Sequence, residues 1–233
     1  MPISRRMVNR VRYVLEDLLP PALRDSVLFL PIMYLAFGRR TRAMIDFRAA
    51  VRTMSEQDYA AHYAAVTPIM GEVDLNRRCI DRILADVVGQ TVLDAGCGRG
   101  HMIALIARAD ADRLCRGVDL DPPALADPPA NLTFASGWLG RLPCAAGAFD
   151  TVICTHTLEH ILDIDAAVAD LRRVARCRLI LVVPREREAR YGLNLHVHFF
   201  PYVHTFLNRI RPPSDRFACE VIDGDIYYCE DRD

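Results

Sequence analysis

Lysine is absent from this chain: all 29 basic residues among its 233 are arginine. No Schiff-base lysine or lysine general base can take part in its chemistry. Charge of one sign is lacking too, since 30 acidic residues leave a net charge of −1, and no bulk positive field marks a nucleic-acid binder. The apolar stretch from Val27 to Phe37 falls short of the roughly 20 residues that cross a bilayer. Glu16, Asp17 and Asp25 ahead of it are unlike the start of a secretory signal. None of the eight cysteines (Cys79, Cys97, Cys115, Cys144, Cys154, Cys177, Cys219, Cys229) forms a C-x-x-C knuckle. Several lie in apolar runs where a thiol packs as a small hydrophobe, so reduced cysteines in a cytoplasmic protein are expected.

What is present suits one α/β domain with an appendage. Charge is uneven: residues 1–52 hold ten arginines against four acids, and the remainder is acidic by seven. From Arg5 to Leu19 the apolar residues Met7, Val8, Val11, Val14, Leu15, Leu18 and Leu19 recur at helical spacing opposite a basic face. Pro20-Pro21 stops that helix, and further helical sequence runs through Tyr59 and Tyr63. Residues 1–70 are expected to form a helical cap over the domain at 71–233. Two roles are open for the cap, packing over a cofactor and peripheral contact with a membrane through its basic helix.

From Asp74 onward helix and strand alternate, which predicts a parallel sheet. Helices are expected at Asp74–Val88, His101–Ala109 and Ile164–Ala175. Strands are expected at Thr91–Ala95, Cys115–Asp119, Leu132–Ala135, Thr151–Thr155 and Leu179–Val183, the last apolar enough to be buried on both faces. Residues 121–130 are too rich in proline for more than a token helix. Asp223-Gly224 between two short runs, Phe217–Ile222 and Asp225–Glu230, predicts an antiparallel hairpin.

At the first strand-to-helix junction stands VLDAGCGRG, with Gly96, Gly98 and Gly100 at alternate positions after Asp94. Such a turn lets backbone approach a ligand and points helix N–H groups at it. The second strand ends in GVDL, placing a carboxylate, Asp119, where it can accept both hydroxyls of a ribose. Together they predict a bound nucleoside cofactor.

With LPCAAGAFDTVICTHTLEHILD from Leu142 to Asp163 added, residues 75–185 resemble the class I S-adenosylmethionine-dependent methyltransferases, in particular their broad methyltransferase-11-type group. The resemblance implies a Rossmann-like α/β fold: a seven-stranded, mostly parallel sheet with an antiparallel C-terminal hairpin, here with an N-terminal helical extension. It implies S-adenosylmethionine as cofactor, with Asp94, Gly96, Cys97, Gly98 and Gly100 around its methionine part, Asp119 on the ribose, Leu120 against the adenine and Thr155 close by. Where that family often has an acidic residue this chain has Gly137-Trp138, so Trp138 either stacks on the base or fills core.

Chemistry is expected at the carboxyl end of the fourth strand. No N/D-P-P-Y/F motif is present there, which disfavours transfer to nitrogen, and an oxygen acceptor needs a base. His156 and His160 are the candidates, His160 alternatively serving to order the loop. His156, Glu159 and His160 also read H-x-x-E-H, with His196 and His198 downstream. That is similar to the E-x-x-E-H metal motif of the small-RNA 3′-end 2′-O-methyltransferases and of some ubiquinone-pathway O-methyltransferases, with His156 in place of the first glutamate. No metal is assigned on that pattern. Arg185, Arg187 and Arg190 are candidates to clamp an anionic acceptor or to form a solvated loop. The expected activity is methyl transfer to a small molecule or a glycan or lipid intermediate, on oxygen before nitrogen. The alternatives are metal-assisted RNA 2′-O-methylation and a non-catalytic partner protein that binds S-adenosylmethionine.

Overall fold

In the computed structural model, residues 19–38, 75–191 and 195–232 are described, together with 41, 42, 45, 47, 50–55, 57–59 and 61. The expected basic helix from Arg5 falls almost wholly outside them, as does Tyr63. Seven strands form one sheet in the order β3-β2-β1-β4-β5-β7-β6. They are β1 (Thr91–Ala95), β2 (Leu114–Asp119), β3 (Leu132–Ser136), β4 (Phe149–Thr155), β5 (Ala175–Pro184), β6 (Phe217–Ile222) and β7 (Asp225–Asp231). The first five pair in parallel, while β7 runs antiparallel between β5 and β6. Chain order reverses between β1 and β4, which opens a crevice at their carboxyl ends.

Helices among the described residues include α1 (Pro21–Arg24), α2 (Leu30–Phe37), α3 (Arg77–Asp86), α4 (His101–Ala109), α5 (Ile164–Val174) and α6 (Val203–Ile210). Period-two alternation sends Leu93, Val152, Leu179, Leu181 and Tyr228 to one face, where they pack on α5 and α6. Val92, Ile153, Ile180, Val182 and Tyr227 go to the other, against α3 and α4. A polypeptide apolar on both faces is stable only as a covered central strand, which is why β5 reads as an unbroken apolar run.

Pro21 begins α1, since proline is tolerated at a helix's first turn. Two sequence expectations shift. Ala175 leaves α5 to open β5, whose ten residues extend well beyond the expected five. The unforeseen α6 starts with a reciprocal cap between Tyr202 and Thr205 and buries Phe206 and Ile210. Between β2 and β3 no helix forms, as the prolines dictate. Asp223 (φ 47°) and Gly224 (φ 92°) make the tight hairpin turn.

Among the described residues no helix is long and apolar enough to cross a membrane. Phe29 and Met33 pack on Tyr191, while Phe47, Val51 and Tyr59 pack on Leu195 and against Leu120 and Trp138. These described residues of the N-terminal segment thus lie beside the loops at the carboxyl edge of the sheet.

Candidate active site

The glycine turn is held by backbone bonds to β2 and by two side chains. Gly96 and Cys97 both donate N–H to the Val118 carbonyl, at 2.7 and 3.1 Å, tying the turn to the end of β2. Gly96 has φ 78°, and a Cβ there would lie 2.4 Å from the Thr157 side chain, so the turn sits directly against the end of β4. At Gly98 nothing lies within 4 Å of the Cβ position: that side of the turn is open for a ligand. Asp119 Oδ2 accepts the Gly98 N–H at 2.8 Å and Oδ1 the Asp121 N–H at 3.3 Å, so the carboxylate is oriented before any ligand arrives.

Beneath the turn Asp94 is 1% exposed, and its Oδ1 has no hydrogen-bond partner. Burial, reinforced by Asp119, pushes its carboxyl up to about 8. A buried carboxyl with an unused oxygen, below an open glycine turn, fits the ammonium end of an amino-acid cofactor. Leu120 and Trp138 share a cluster with Phe47, Val51, Tyr59 and Leu195. The Tyr59 and Trp138 rings are 6.3 Å apart, and the Arg141 guanidinium lies 5.8 Å over Trp138. Trp138 is therefore packed under the N-terminal segment with one side toward Leu120's end of β2. Ser136, which sequence reasoning missed, donates to the Leu120 carbonyl at 3.1 Å.

The other half of the site is built from side chains. After Thr155 the backbone turns at His156, in the left-handed region at φ 49°, its N–H donating to the Val182 carbonyl at 2.8 Å. Thr157 Oγ1 lies 3.2 Å from the Gly96 carbonyl and 3.0 Å from that of Thr155. A 3-10 turn, Leu158–His160, follows. His156 Nε2 is 3.4 Å from Asp225 Oδ1, and Nδ1 is 3.7 Å from Glu159 Oε1. Asp225, fully buried at the start of β7, accepts from Asn76 Nδ2 at 2.9 Å, and Asn76 also caps α3.

The loop after β5 folds back because Val197 and His198 donate N–H to the Glu159 carbonyl at 2.8 and 3.0 Å. This places His196 Nε2 4.0 Å from Glu159 Oε1, with His196 Nδ1 2.6 Å from Glu186 Oε2. The His160 and His196 rings meet edge to face at 4.8 Å. His160 Nδ1 approaches the Leu195 carbonyl at 3.2 Å, and Tyr59 donates its hydroxyl to the His160 carbonyl at 2.9 Å. Burial, with His196 adding to it, drives the His160 imidazole down to about 3. At that value it is too weak a base to take a proton near neutrality.

Of the H-x-x-E-H residues the structure gathers all three, and of the two downstream histidines it brings only His196 to them. His198 turns its Nε2 to the Ile161 carbonyl at 2.8 Å. Arg185, Arg187 and Arg190 are exposed on the same loop, Arg187 reaching the Tyr202 hydroxyl at 3.5 Å and Arg190 covering the Tyr191 ring. Glu186, Asp225 and Asn76 were not foreseen: a glutamate in a charged loop and an aspartate after D-G carry no local signal of the groups they meet only in the folded chain.

Comparison with known proteins gives the same core. Residues 93–182 match the family model described as a methyltransferase domain. The chain is 33% identical over 98 residues to a ubiquinone biosynthesis O-methyltransferase of Methylococcus capsulatus, covering 39% of this chain and 40% of that protein. It spans about two fifths of the length of the curated relatives it matches. Among solved structures, an S-adenosylmethionine-dependent methyltransferase of Mesorhizobium loti superposes with a TM-score of 0.52 at 16% identity, over 66% of this chain and 96% of that one. A 4+2 cyclase superposes with a TM-score of 0.50 at 21% identity, over 62% and 57%.

Proposed function

We propose that this chain, which carries an S-adenosylmethionine-dependent methyltransferase domain, moves the methyl group to a hydroxyl of a small molecule or of a glycan or lipid intermediate. One observation carries the reading: Thr157 joins the glycine turn to the imidazole and carboxylate cluster through its contact with the Gly96 carbonyl. A nucleoside cradle and a candidate base therefore share one crevice across the β1/β4 boundary. The bound cofactor supplies an electrophilic methyl on sulfonium. Asp94 balances its ammonium, Asp119 accepts from the ribose hydroxyls, Gly96, Cys97, Gly98 and Gly100 let the backbone come close, and Leu120, Trp138 and Thr155 line the rest.

His156 takes the acceptor's proton. Asp225 Oδ1 and Glu159 Oε1 lie 3.4 and 3.7 Å from its two ring nitrogens, so the resulting imidazolium is stabilised by two buried carboxylates. Loss of that proton would sharpen the hydroxyl oxygen as nucleophile toward the methyl a bound sulfonium would supply, with the neutral thioether as leaving group. The O-methyltransferase name of the Methylococcus relative supports oxygen as the receiving atom. The 4+2 cyclase on the same fold is the reason to test turnover directly.

Isotope-labelled S-adenosylmethionine incubated with the protein and small-molecule hydroxyl acceptors is expected to label an acceptor, and calorimetry is expected to register S-adenosylhomocysteine. In Asp119→Ala that heat falls by about 10-fold to 100-fold in affinity. No heat from either nucleoside defeats the reading; binding without label in any acceptor favours the non-catalytic alternative.

A second observation bears on the acceptor. Leu23, Val27, Leu28, Ile32 and Leu35 are half or more exposed within a segment followed by Arg39, Arg40 and Arg42. Apolar residues beside cationic ones suit an anionic lipid surface. Co-sedimentation with phosphatidylglycerol vesicles but not with phosphatidylcholine vesicles, reduced in Leu28→Glu/Leu35→Glu, is the expected result.

A further inference from the structure

Glu159 poses an electrostatic problem. It is 1% exposed, and neither carboxylate oxygen has a hydrogen-bond partner. The groups that face it are imidazoles, His156 Nδ1 at 3.7 Å and His196 Nε2 at 4.0 Å. A buried carboxylate without donors is costly unless a positive charge joins it. Donor atoms of Glu159, His160 and His196 all lie within 4.8 Å of one another. We infer that Glu159, His160 and His196 bind a divalent cation of the zinc class, with Glu186 orienting His196 from behind.

The tautomers agree with this role. A carboxylate 2.6 Å from His196 Nδ1 accepts its hydrogen, leaving the lone pair on Nε2, the nitrogen toward Glu159. Carboxylate–imidazole pairs of this kind orient metal-binding histidines and raise their basicity. A carbonyl oxygen can only accept, so His160 Nδ1, 3.2 Å from the Leu195 carbonyl, carries its hydrogen and the lone pair again falls on Nε2. Two imidazole nitrogens and one carboxylate oxygen suit zinc and its first-row neighbours better than magnesium, which takes oxygen ligands. Zinc bonds of about 2.0–2.2 Å require such donors to move closer together than they now lie.

Three protein ligands leave a position for water or an acceptor oxygen. His156 touches Glu159, so that position and the base adjoin. The ion site rests on side-chain geometry alone; its service to the acceptor rests on the methyl-transfer reading.

Chelator-stripped full-length protein titrated with Co2+ tests this, followed by Zn2+ competition and metal analysis by mass spectrometry. The expected result is one ion per chain, with visible absorption characteristic of nitrogen and oxygen ligation. Glu159→Gln and His196→Ala are expected to abolish the band, and His198→Ala to leave it unchanged. Glu186→Gln weakens affinity about 10-fold to 100-fold. It decides the matter if the ligand variants do not fold, because it removes no ligand. Absence of stoichiometric uptake, or equal affinity in Glu186→Gln and the parent, overturns the proposal. S-adenosylhomocysteine calorimetry in parallel separates the two readings: nucleoside binding without metal uptake overturns the ion site alone, and metal uptake without nucleoside binding upholds it while the methyltransferase reading fails.

Discussion

The two halves of the crevice are made of different material. On the β1/β2 side the working parts are consecutive: one turn of backbone from Asp94 to Gly100, and Asp119 at the end of the neighbouring strand. On the β4/β5 side they come from four separate stretches, His156 to His160, Glu186, His196 and Asp225, assembled by backbone bonds to the Glu159 carbonyl and by side-chain pairs. A backbone cradle tolerates change in any side chain that does not enter it. A side-chain cluster fails one residue at a time, and its failures separate chemistry from binding.

That contrast can be broken from either side. The largest effect is expected from His156→Asn, since asparagine accepts the left-handed backbone at φ 49° but offers no base. Turnover should drop about 10²-fold to 10⁴-fold with S-adenosylhomocysteine affinity unchanged; a matching loss of affinity would place His156 in the cradle instead. Next comes Gly96→Val. The Thr157 side chain 2.4 Å from the new Cβ and φ 78° combine to cost about 3 kcal/mol, roughly 100-fold in nucleoside affinity. Gly98→Ala, open on its Cβ side, is the sharper probe of the ligand itself: it should cost the nucleoside-free protein less stability than Gly96→Val does.

A smaller effect distinguishes the buried carboxyl under the cradle. Because Asp94 is held up to about 8, the folded protein keeps a proton that the unfolded chain releases near 4. Stability of the nucleoside-free protein therefore falls as pH rises through that window, by at most about 1.4 kcal/mol per pH unit. Asp94→Asn should flatten the slope in denaturant titrations at stepped pH; an unchanged slope would assign it to other groups. Smallest is Tyr59→Phe, which removes the bond to the His160 carbonyl across the two halves, about 1 kcal/mol in thermal unfolding. If it alters turnover more than stability, the N-terminal segment positions the acceptor side.

The sequence made the cradle legible because its signals are local. Three glycines at alternate positions and an acid one strand later specify a turn whatever else surrounds them. The strands were readable by their apolar runs, and β1 and the hairpin emerged within a residue of their expected limits. α6 was missed because its eight residues bury chiefly Phe206 and Ile210, too short a stripe for periodicity to stand out.

H-x-x-E-H could be seen as a pattern, but not which distant histidine completes it. Spacing left His196 and His198 equivalent. Only the folded chain separates them, because the Glu159 carbonyl captures the loop at Val197 and His198 and sends the flanking imidazoles opposite ways. The same holds for Asp225, which reaches His156 only because β7 inserts antiparallel beside β5. Residue order along the chain determined the fold class and the backbone cradle, both products of short-range periodicity and turn chemistry. The partners of each buried charge were decided by tertiary structure, since electrostatic pairing acts through space between segments whose separation in sequence bears no relation to their distance.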